Sequence, residues 1–281
     1  MIKKGIKKVI FLALLFAQLH TYALIVESDN LATVYKYVDE DTLVIFDIDN
    51  TMAVVSMDIE PWVWYKTKDL KKKGLSHEGA FQLVLSIFFL LTKYTTLIPL
   101  SNSPDIVNDL QKKKIPVIAL TNRSIPVIER TIKRLKKINI DLTKNSLYDK
   151  DLELDLKYVG KYSKGIIFTG SNDKGEQLFQ FLKKINYTPK KIILLDDKVI
   201  NVKSVEKAAK KHNVEYVGIR FSLMDQKKKD FDPKVAKKTI RKLKIKLGME
   251  PVDSAPGKPT IWESIKDAIT WPFRKAKSLI A

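Results

Sequence analysis

The stretch from Thr42 to Met52, TLVIFDIDNTM, is the feature that most constrains how this chain folds. Its apolar run is rich in β-branched and aromatic residues, which is typical of a strand buried on both faces of a parallel sheet. Two carboxylates, Asp47 and Asp49, follow immediately. Because an unpaired charge inside such a sheet is costly, these carboxylates must lie at the strand's end, in a crevice, or beside a cation.

Four more strand-like runs follow along the chain: IPVIALTNR, GIIFTG, KIILLDD and VEYVGIRF. Amphipathic helical patterns separate them, and this alternation predicts βαβ units and a mostly parallel sheet, that is, an α/β fold. A polar insertion between Asn139 and Gly165 is predicted to contain a hairpin. A helix is predicted from Ser28 to Val38 and another from Glu78 to Tyr94.

In a doubly wound sheet, ligands bind at the carboxyl ends of the strands. The first four predicted strands all end in polar residues or lead directly into them, so these residues are expected to meet in one crevice. The residues concerned are Asp47, Asp49 and Thr51, then Thr121, Asn122 and Arg123, then Lys174, and finally Asp196 and Asp197.

Four motifs occur in order, FDIDNT, ALTNR, NDKGEQL and ILLDDKVINV, and with them the chain resembles the haloacid dehalogenase superfamily from Leu43 to Phe221. The resemblance implies a three-layer Rossmann-like core with a mostly parallel sheet and a helical cap inserted after the first motif. The chain is also similar to exported acid phosphatases of this superfamily and, more loosely, to poorly characterised relatives in intracellular bacteria.

The resemblance also implies roles for the site residues. Asp47 would attack phosphorus and form an aspartyl-phosphate, which splits one difficult step into two. Asp49 would protonate the leaving group and then deprotonate the attacking water. Thr121 would donate a hydrogen bond to a phosphoryl oxygen, and Lys174 would balance the negative charge. The substrate-binding candidates are Thr51, Asn122 and Arg123.

Magnesium is the cofactor that the resemblance implies, a hard ion that uses few protein ligands and keeps several waters. The ligands would be the carboxylate of Asp47, the backbone carbonyl of Asp49, and an acid of the fourth motif. Alignment with the superfamily's usual motif favours Asp197, but the sequence leaves open whether Asp196 or Asp197 binds directly. Asn201 stands where the superfamily usually has a further Asp.

Composition narrows the remaining possibilities. The chain has no cysteine, which excludes disulfides and thiolate zinc sites, and its three histidines are far apart in sequence. The formal net charge of +19 fits either attraction to polyanions or a solvated lysine-rich surface. The predicted partner is a phosphorylated substrate, and no nucleic-acid partner is expected.

The predicted organisation starts with a signal peptide at residues 1–23, with a basic start, an apolar run and small residues near its end. The superfamily core would comprise 24–52 and 101–223, the helical cap 53–100, and a basic extension 224–281. Export to the periplasm or the outside follows from the signal peptide, although an uncleaved anchor is the alternative. In the extension, Trp262, Trp271 and nearby lysines predict weak binding to anionic membranes, or equally packing on the core.

The sequence therefore predicts an exported, Mg²⁺-dependent phosphomonoester hydrolase. Two alternatives stay open. The first is a catalytically weak module that recognises phosphate through the same fold. The second is a secreted effector whose basic tail docks on membranes or on a protein partner.

Overall fold

A computed structural model describes residues 23–56, 59–76, 95–123 and 125–235, together with residues 238 and 241. Several predicted features lie outside these residues: nearly all of the signal peptide, the helix from Glu78 to Tyr94, and the tryptophan-containing end of the basic extension. The membrane-binding role of that extension therefore stays a prediction. Among the described residues, no helix is both long and apolar enough to cross a membrane.

Ten strands and six α-helices are described. The strands are β1 (Ala23–Ser28), β2 (Thr42–Phe46), β3 (Ala53–Val55), β4 (Leu97–Pro99), β5 (Val117–Thr121), β6 (Leu152–Glu153), β7 (Lys161–Ser163), β8 (Ile166–Phe168), β9 (Lys191–Asp196) and β10 (Glu215–Phe221). The α-helices are α1 (Ile59–Lys72), α2 (Ser103–Lys112), α3 (Ile128–Lys137), α4 (Lys174–Lys184), α5 (Val199–Lys211) and α6 (Asp225–Lys229). Two short 3-10 helices, Leu31–Lys36 and Ile125–Val127, complete the description.

Eight strands form one sheet in the order β1-β10-β9-β2-β5-β8-β7-β6. The pairs from β1 through β8 are all parallel, and only β7 and β6 at one edge run antiparallel to their neighbours. This confirms the predicted α/β class with a mostly parallel sheet. The antiparallel β6–β7 pair is the hairpin predicted in the polar insertion between Asn139 and Gly165.

The sheet is covered by helices on both faces, which gives three layers. Successive residues of β2 point to opposite faces: Val44 and Phe46 belong to one buried cluster, and Leu43 and Ile45 belong to the other. The first cluster contains apolar residues of α2 and α3, and the second contains apolar residues of α4 and α5. The continuous apolar run of β2 is therefore explained by burial on both sides.

Two regions differ in detail from the sequence prediction. Strand β1 was not predicted, because its short apolar run directly follows the apolar segment of the signal peptide; it pairs with β10 at the edge of the sheet. The helix predicted from Ser28 to Val38 is a 3-10 helix, Leu31–Lys36. Its N-cap is Asn30, whose side chain accepts a hydrogen bond from the backbone N–H of Ala32.

Strands β3 and β4 form a separate antiparallel pair in which Ala53 lies opposite Pro99. Residues 56–96 lie between these two strands, directly after the first motif, and α1 belongs to this insertion. The boundaries of the cap at 53 and 100, and those of the other predicted domains, stay predictions.

Candidate active site

The candidate site lies at the carboxyl edge of three neighbouring parallel strands, β5, β2 and β9. Asp47 directly follows β2, Thr121 ends β5, and Asp196 ends β9, while Lys174 begins α4. Parallel strands bring their carboxyl ends to one edge, so residues more than a hundred positions apart in sequence meet here. The convergence predicted from the strand ends is what the structure shows for these residues.

A tight turn after β2 presents the two aspartates. The backbone N–H of Asp47 still bonds to Leu195 O at 2.8 Å, which extends the sheet by one residue. The chain then folds back, with the N–H of Ala53 bonding to Ile48 O at 2.9 Å and Asn50 in the left-handed region at φ 61°. Asparagine adopts the left-handed conformation more readily than most residues, so Asn50 suits the position between Asp49 and Thr51 where the chain turns back.

Lys174 bridges two carboxylates at the bottom of the site. Its Nζ lies 2.7 Å from Asp47 Oδ1 and 2.6 Å from Asp196 Oδ2. The three side chains are 1%, 7% and 0% exposed respectively. Burial disfavours the charged form of Lys174, but the charges of Asp196 and Asp47 outweigh it and raise the lysine's pKa. We name Asp47, Lys174 and Asp196 the deep cluster.

Asp47 itself is strongly affected by its position. Burial raises the pKa of its carboxyl well above the usual value. The ammonium of Lys174 acts in the opposite direction, while the neighbouring charges of Asp196, Asp197 and Asp49 add to the increase. A carboxyl crowded by other carboxylates in this way is a candidate functional group, because such crowding needs a cation to be relieved.

The position of Lys174 depends on close contact between α4 and α5. Asp173 caps α4 by accepting a hydrogen bond from Glu176 N at 3.0 Å, and Ser204 of α5 donates to the same carboxylate at 2.6 Å. Gly175 lies against α5 so closely that a Cβ there would be 2.4 Å from Ser204 O. The sequence NDKGEQL therefore places a capping acid, a lysine and a glycine where this packing requires them.

Asp49 is paired with Arg123. The guanidinium donates from Nε to Asp49 Oδ2 at 2.9 Å and from Nη2 to Oδ1 at 2.7 Å, a two-point contact. A third donor, Nη1, bonds to Thr131 Oγ1 at 3.1 Å. Burial raises the pKa of Asp49, but Arg123, together with the charges of Lys198 and Lys174, outweighs burial, and the net pKa is lowered. Arg123, a predicted substrate-binding residue, thus contacts the predicted proton-transfer residue.

The hydroxyl and amide candidates lie on the same loops. Thr121 is fully buried, and its Oγ1 accepts a weak hydrogen bond from Arg123 N at 3.3 Å. Asn122 Oδ1 accepts from Thr169 Oγ1 at 3.2 Å, which ties it to the loop after β8. Thr51 is also fully buried, and its Oγ1 has no hydrogen-bond partner among the described residues. The predicted catalytic and binding roles of these residues stay predictions.

The acids of the fourth motif occupy different environments. Asp196 accepts hydrogen bonds from Lys198 N at 2.8 Å and from Asn201 Nδ2 at 3.0 Å to each oxygen. Asp197 is 2% exposed and pairs through Oδ2 with Lys228 of α6, while its Oδ1 has no partner among the described residues. Carboxylate oxygens of Asp47, Asp196 and Asp197 all lie within 4.8 Å of one another.

Sequence reasoning missed two residues of this site, Thr131 and Lys228. Thr131 lies in the middle of α3, where its hydroxyl anchors Arg123. Lys228 belongs to the run DQKKKD, in which nothing distinguishes it from Lys227 or Lys229. Only the position of α6 after β10 shows that the second lysine of this run reaches Asp197.

Comparison with known proteins gives distant relatives. A Chlamydia pneumoniae protein named "Putative outer membrane protein" is 24% identical over 237 residues, 76% of this chain and 82% of that one. A Chlamydia trachomatis protein with the same name is 23% identical over 189 residues, 66% of this chain and 71% of that one.

Among solved structures, a haloacid dehalogenase-like hydrolase from Streptococcus pneumoniae aligns with a TM-score of 0.40 and 15% identity. The alignment covers 63% of this chain and 93% of that one. A similarity this distant does not by itself define an activity. The profile of one family, by contrast, matches residues 27–250, most of the 281-residue chain. The chain therefore belongs to the family described as "Protein of unknown function (DUF2608)".

Proposed function

We propose that this protein is an Mg²⁺-dependent phosphomonoester hydrolase that acts through an aspartyl-phosphate. The observation that carries the proposal is the deep cluster: Asp47, at the carboxyl end of β2, lies 2.7 Å from Lys174 in a crevice that also holds Asp196 and Asp197. A carboxylate nucleophile needs a neighbouring cation to accept an anionic phosphoryl group, and Lys174 supplies one.

The residues present fit a magnesium ion. Asp47, Asp196 and Asp197 are buried and offer oxygen ligands close together, which suits a hard cation. The unpartnered Oδ1 of Asp197 is a further indication, because a buried carboxylate oxygen rarely lacks a hydrogen bond or a cation. Asp47 and Asp197 would hold the ion with the backbone carbonyl of Asp49, and Asp196 would stay with Lys174. When bound, the ion would neutralise phosphoryl charge and orient the substrate.

The chain's own groups then account for the reaction. The Asp47 carboxylate forms a bond to phosphorus while the bond from phosphorus to the ester oxygen breaks, and the leaving alkoxide takes a proton from the protonated carboxyl of Asp49. Water then attacks the aspartyl-phosphate and releases inorganic phosphate and the Asp47 carboxylate. Lys174 offsets the negative charge of nucleophile and phosphoryl group in both steps, and Thr121 donates a hydrogen bond to a phosphoryl oxygen.

Asp49 would move the protons in this scheme. Arg123 holds its carboxylate by two hydrogen bonds, and this ionised form is the one that accepts a proton from attacking water. Donating a proton to the leaving group in the first step requires the protonated carboxyl of Asp49, which the Arg123 guanidinium disfavours. The pairing therefore supports a base role in the second step more strongly than an acid role in the first.

The same contacts favour one alternative. All four acids of the site are engaged by cations: Asp49 pairs with Arg123, Asp197 pairs with Lys228, and Asp47 and Asp196 share Lys174. A protein that binds phosphate or phosphorylated ligands with weak turnover would have this arrangement. The two functions differ in whether phosphate is released in many turnovers or bound without turnover.

We also propose that the protein is exported. The proposal is supported by the signal-peptide pattern of residues 1–23 and by the relatives named as outer membrane proteins. Mass spectrometry of the exported fraction should find a chain that begins near Leu24. A full-length chain starting at Met1 in that fraction would contradict cleavage.

The test of the activity is phosphate release from a broad panel of phosphomonoesters, with Mg²⁺ and with a chelator. We expect multiple turnovers that require Mg²⁺ and that disappear in Asp47→Asn, since an amide cannot attack phosphorus. A matched control is Asp41→Asn, which changes an exposed acid directly before β2, at the opposite end of this strand from Asp47. Turnover that survives in Asp47→Asn would overturn the mechanism, and binding without turnover by the wild type would favour the alternative.

A further inference from the structure

Lys228 is the feature of the site that the proposed reaction does not use. Its ammonium contacts Asp197 Oδ2, and it reaches the site from α6, after the last strand of the sheet. The two lysines of the site differ in accessibility: the Lys228 side chain is 33% exposed, whereas that of Lys174 is 1% exposed. The Lys228 ammonium can therefore move from Asp197 into water once another cation takes its place beside this buried carboxylate, whereas Lys174 has no such access to water.

The segment that carries Lys228 also contacts the core and the insertion. Arg220, in β10, pairs with Asp225 at the start of α6, with Nη2 at 2.8 Å from Oδ1. At the other end, the ring of Phe231 lies 6.2 Å from that of Tyr65 in α1, centroid to centroid. We name residues 222–231 the C-terminal strap, because the segment joins the sheet, the candidate metal ligand Asp197 and the insertion.

Charge balance indicates what Lys228 does. Four carboxylates meet in the site, and three cations contact them directly; the carboxylates are Asp47, Asp49, Asp196 and Asp197, and the cations are Lys174, Arg123 and Lys228. With Lys228 in place, the groups in contact carry a net charge of −1. Without it they carry −2, the charge that one divalent cation neutralises. The Lys228 ammonium thus pairs with Asp197, a carboxylate that the metal ion would need as a ligand.

We propose that Lys228 is a built-in competitor of the metal ion at Asp197, so that metal loading and docking of the C-terminal strap oppose each other. The inference rests on the metal site of the proposed function, but not on any particular substrate. Metal binding displaces the ammonium from Asp197, and the strap then loses its contact with this carboxylate. By reciprocity, a docked strap lowers the apparent affinity for the metal in proportion to the fraction of molecules in which Asp197 is free of Lys228.

The first experiment measures Mn²⁺ binding by electron paramagnetic resonance, with Mn²⁺ as a spectroscopic probe for Mg²⁺. Lys228→Met should bind Mn²⁺ about ten- to a hundredfold more tightly than the wild type. This is the gain expected if Lys228 occupies Asp197 in roughly 90–99% of wild-type molecules. Lys228→Arg keeps the charge and should keep the weak affinity. Lys229→Met is the matched control, since Lys229 is an exposed neighbour on α6 without an ion pair among the described residues, and should bind like the wild type.

The outcomes separate the inference from the function on which it rests. If Asp197→Asn abolishes Mn²⁺ binding but Lys228→Met binds Mn²⁺ as the wild type does, Lys228 does not compete with the ion. The metal site itself would then still be supported. Weaker binding in Lys228→Met would also overturn the competition, because the lysine would then orient Asp197 for the ion. No Mn²⁺ binding in any variant would overturn the metal site and this inference together.

A second experiment measures directly how firmly the C-terminal strap is held on the protein. Hydrogen–deuterium exchange of residues 222–231 should become faster when saturating Mg²⁺ is added to the wild type, and exchange of α4 should not. Lys228→Met should show fast exchange in the strap already without Mg²⁺. Exchange that slows in the wild type on adding Mg²⁺ would mean that the ion fastens the strap, which would overturn the proposal.

Discussion

The deep cluster and the outer contacts of the site both consist of aspartates paired with cationic side chains, but the two regions differ in how deeply these side chains are buried. In the deep cluster, Lys174 sits between Asp47 and Asp196, and all three side chains are nearly inaccessible. The outer contacts are the pairs Asp49–Arg123 and Asp197–Lys228, each with one member more than a fifth exposed. The aspartates of the two regions consequently differ in pKa: burial raises that of Asp47, whereas Arg123 lowers that of Asp49 despite burial.

The difference shows what each region can do. A buried lysine held by two carboxylates is a fixed element, because moving it would leave several charges without partners in a dry environment. In each outer pair one member is partly exposed, Asp49 in the first and Lys228 in the second, so these pairs can yield to a substrate, a metal ion or a proton more readily than the deep cluster can. We therefore expect the deep cluster to determine stability and the outer contacts to determine response to ligands.

The largest effect should come from Lys174→Met. It leaves Asp47 and Asp196 buried and close together without their shared cation, and such a loss costs about 3–5 kcal/mol of unfolding free energy. Urea unfolding in the presence of a chelator measures it. Lys183→Met, at an exposed position of the same helix, is the control and should change stability by no more than about 0.5 kcal/mol. Equal effects in both variants would abolish the distinction between the two regions.

Arg123→Met should have an intermediate effect. It removes two charge-assisted hydrogen bonds to Asp49 and one to Thr131, and hydrogen bonds to charged groups contribute about 1.5–3 kcal/mol. Arg123→Lys keeps the charge but loses the two-point geometry, so it should recover only part of the loss. Full recovery by lysine would show that charge alone, rather than the forked contact, holds Asp49.

The deep cluster was predictable from the sequence, and the outer contacts were not. Asp47, Lys174 and Asp196 lie at or next to strand ends and a helix start, so strand alternation and the four motifs together place them at one edge of the sheet. Arg123 was identified as a site residue, but its partner Asp49 depends on the path of a loop. Lys228 depends on how α6 docks after β10, and a lysine within a run of three carries no sequence signal for that.

The pH dependence of stability should have opposite signs for the two aspartates. Because the folded pKa of Asp47 lies above its unfolded value, its contribution becomes more unfavourable as pH rises through that interval. Asp47→Asn should therefore gain stability relative to the wild type as pH rises from the unfolded pKa of an aspartate, about 4, towards the raised pKa of the folded state.

Asp49 should behave in the opposite way. Its folded pKa lies below the unfolded value, so it stabilises the protein above the unfolded pKa, and this contribution is lost as pH falls through the folded pKa. Asp49→Asn should thus be destabilising at neutral pH, with the deficit shrinking in acid. Urea midpoints across pH, measured with a chelator, test both variants. If the two variants showed the same change of stability with pH, the opposite pKa shifts of Asp47 and Asp49 would be contradicted.

The smallest effect should come from the ring contact that links the C-terminal strap to α1. Aromatic pairs contribute about 0.5–1.5 kcal/mol beyond their buried area, and Tyr65, 42% exposed, places this pair at the low end. A double-mutant cycle of Tyr65→Leu and Phe231→Leu should give a coupling of about 0.5 kcal/mol. That value would leave the strap able to detach without unfolding the core. A coupling above about 1.5 kcal/mol would instead make the strap as fixed as the deep cluster, and Lys228 could then not yield to an ion.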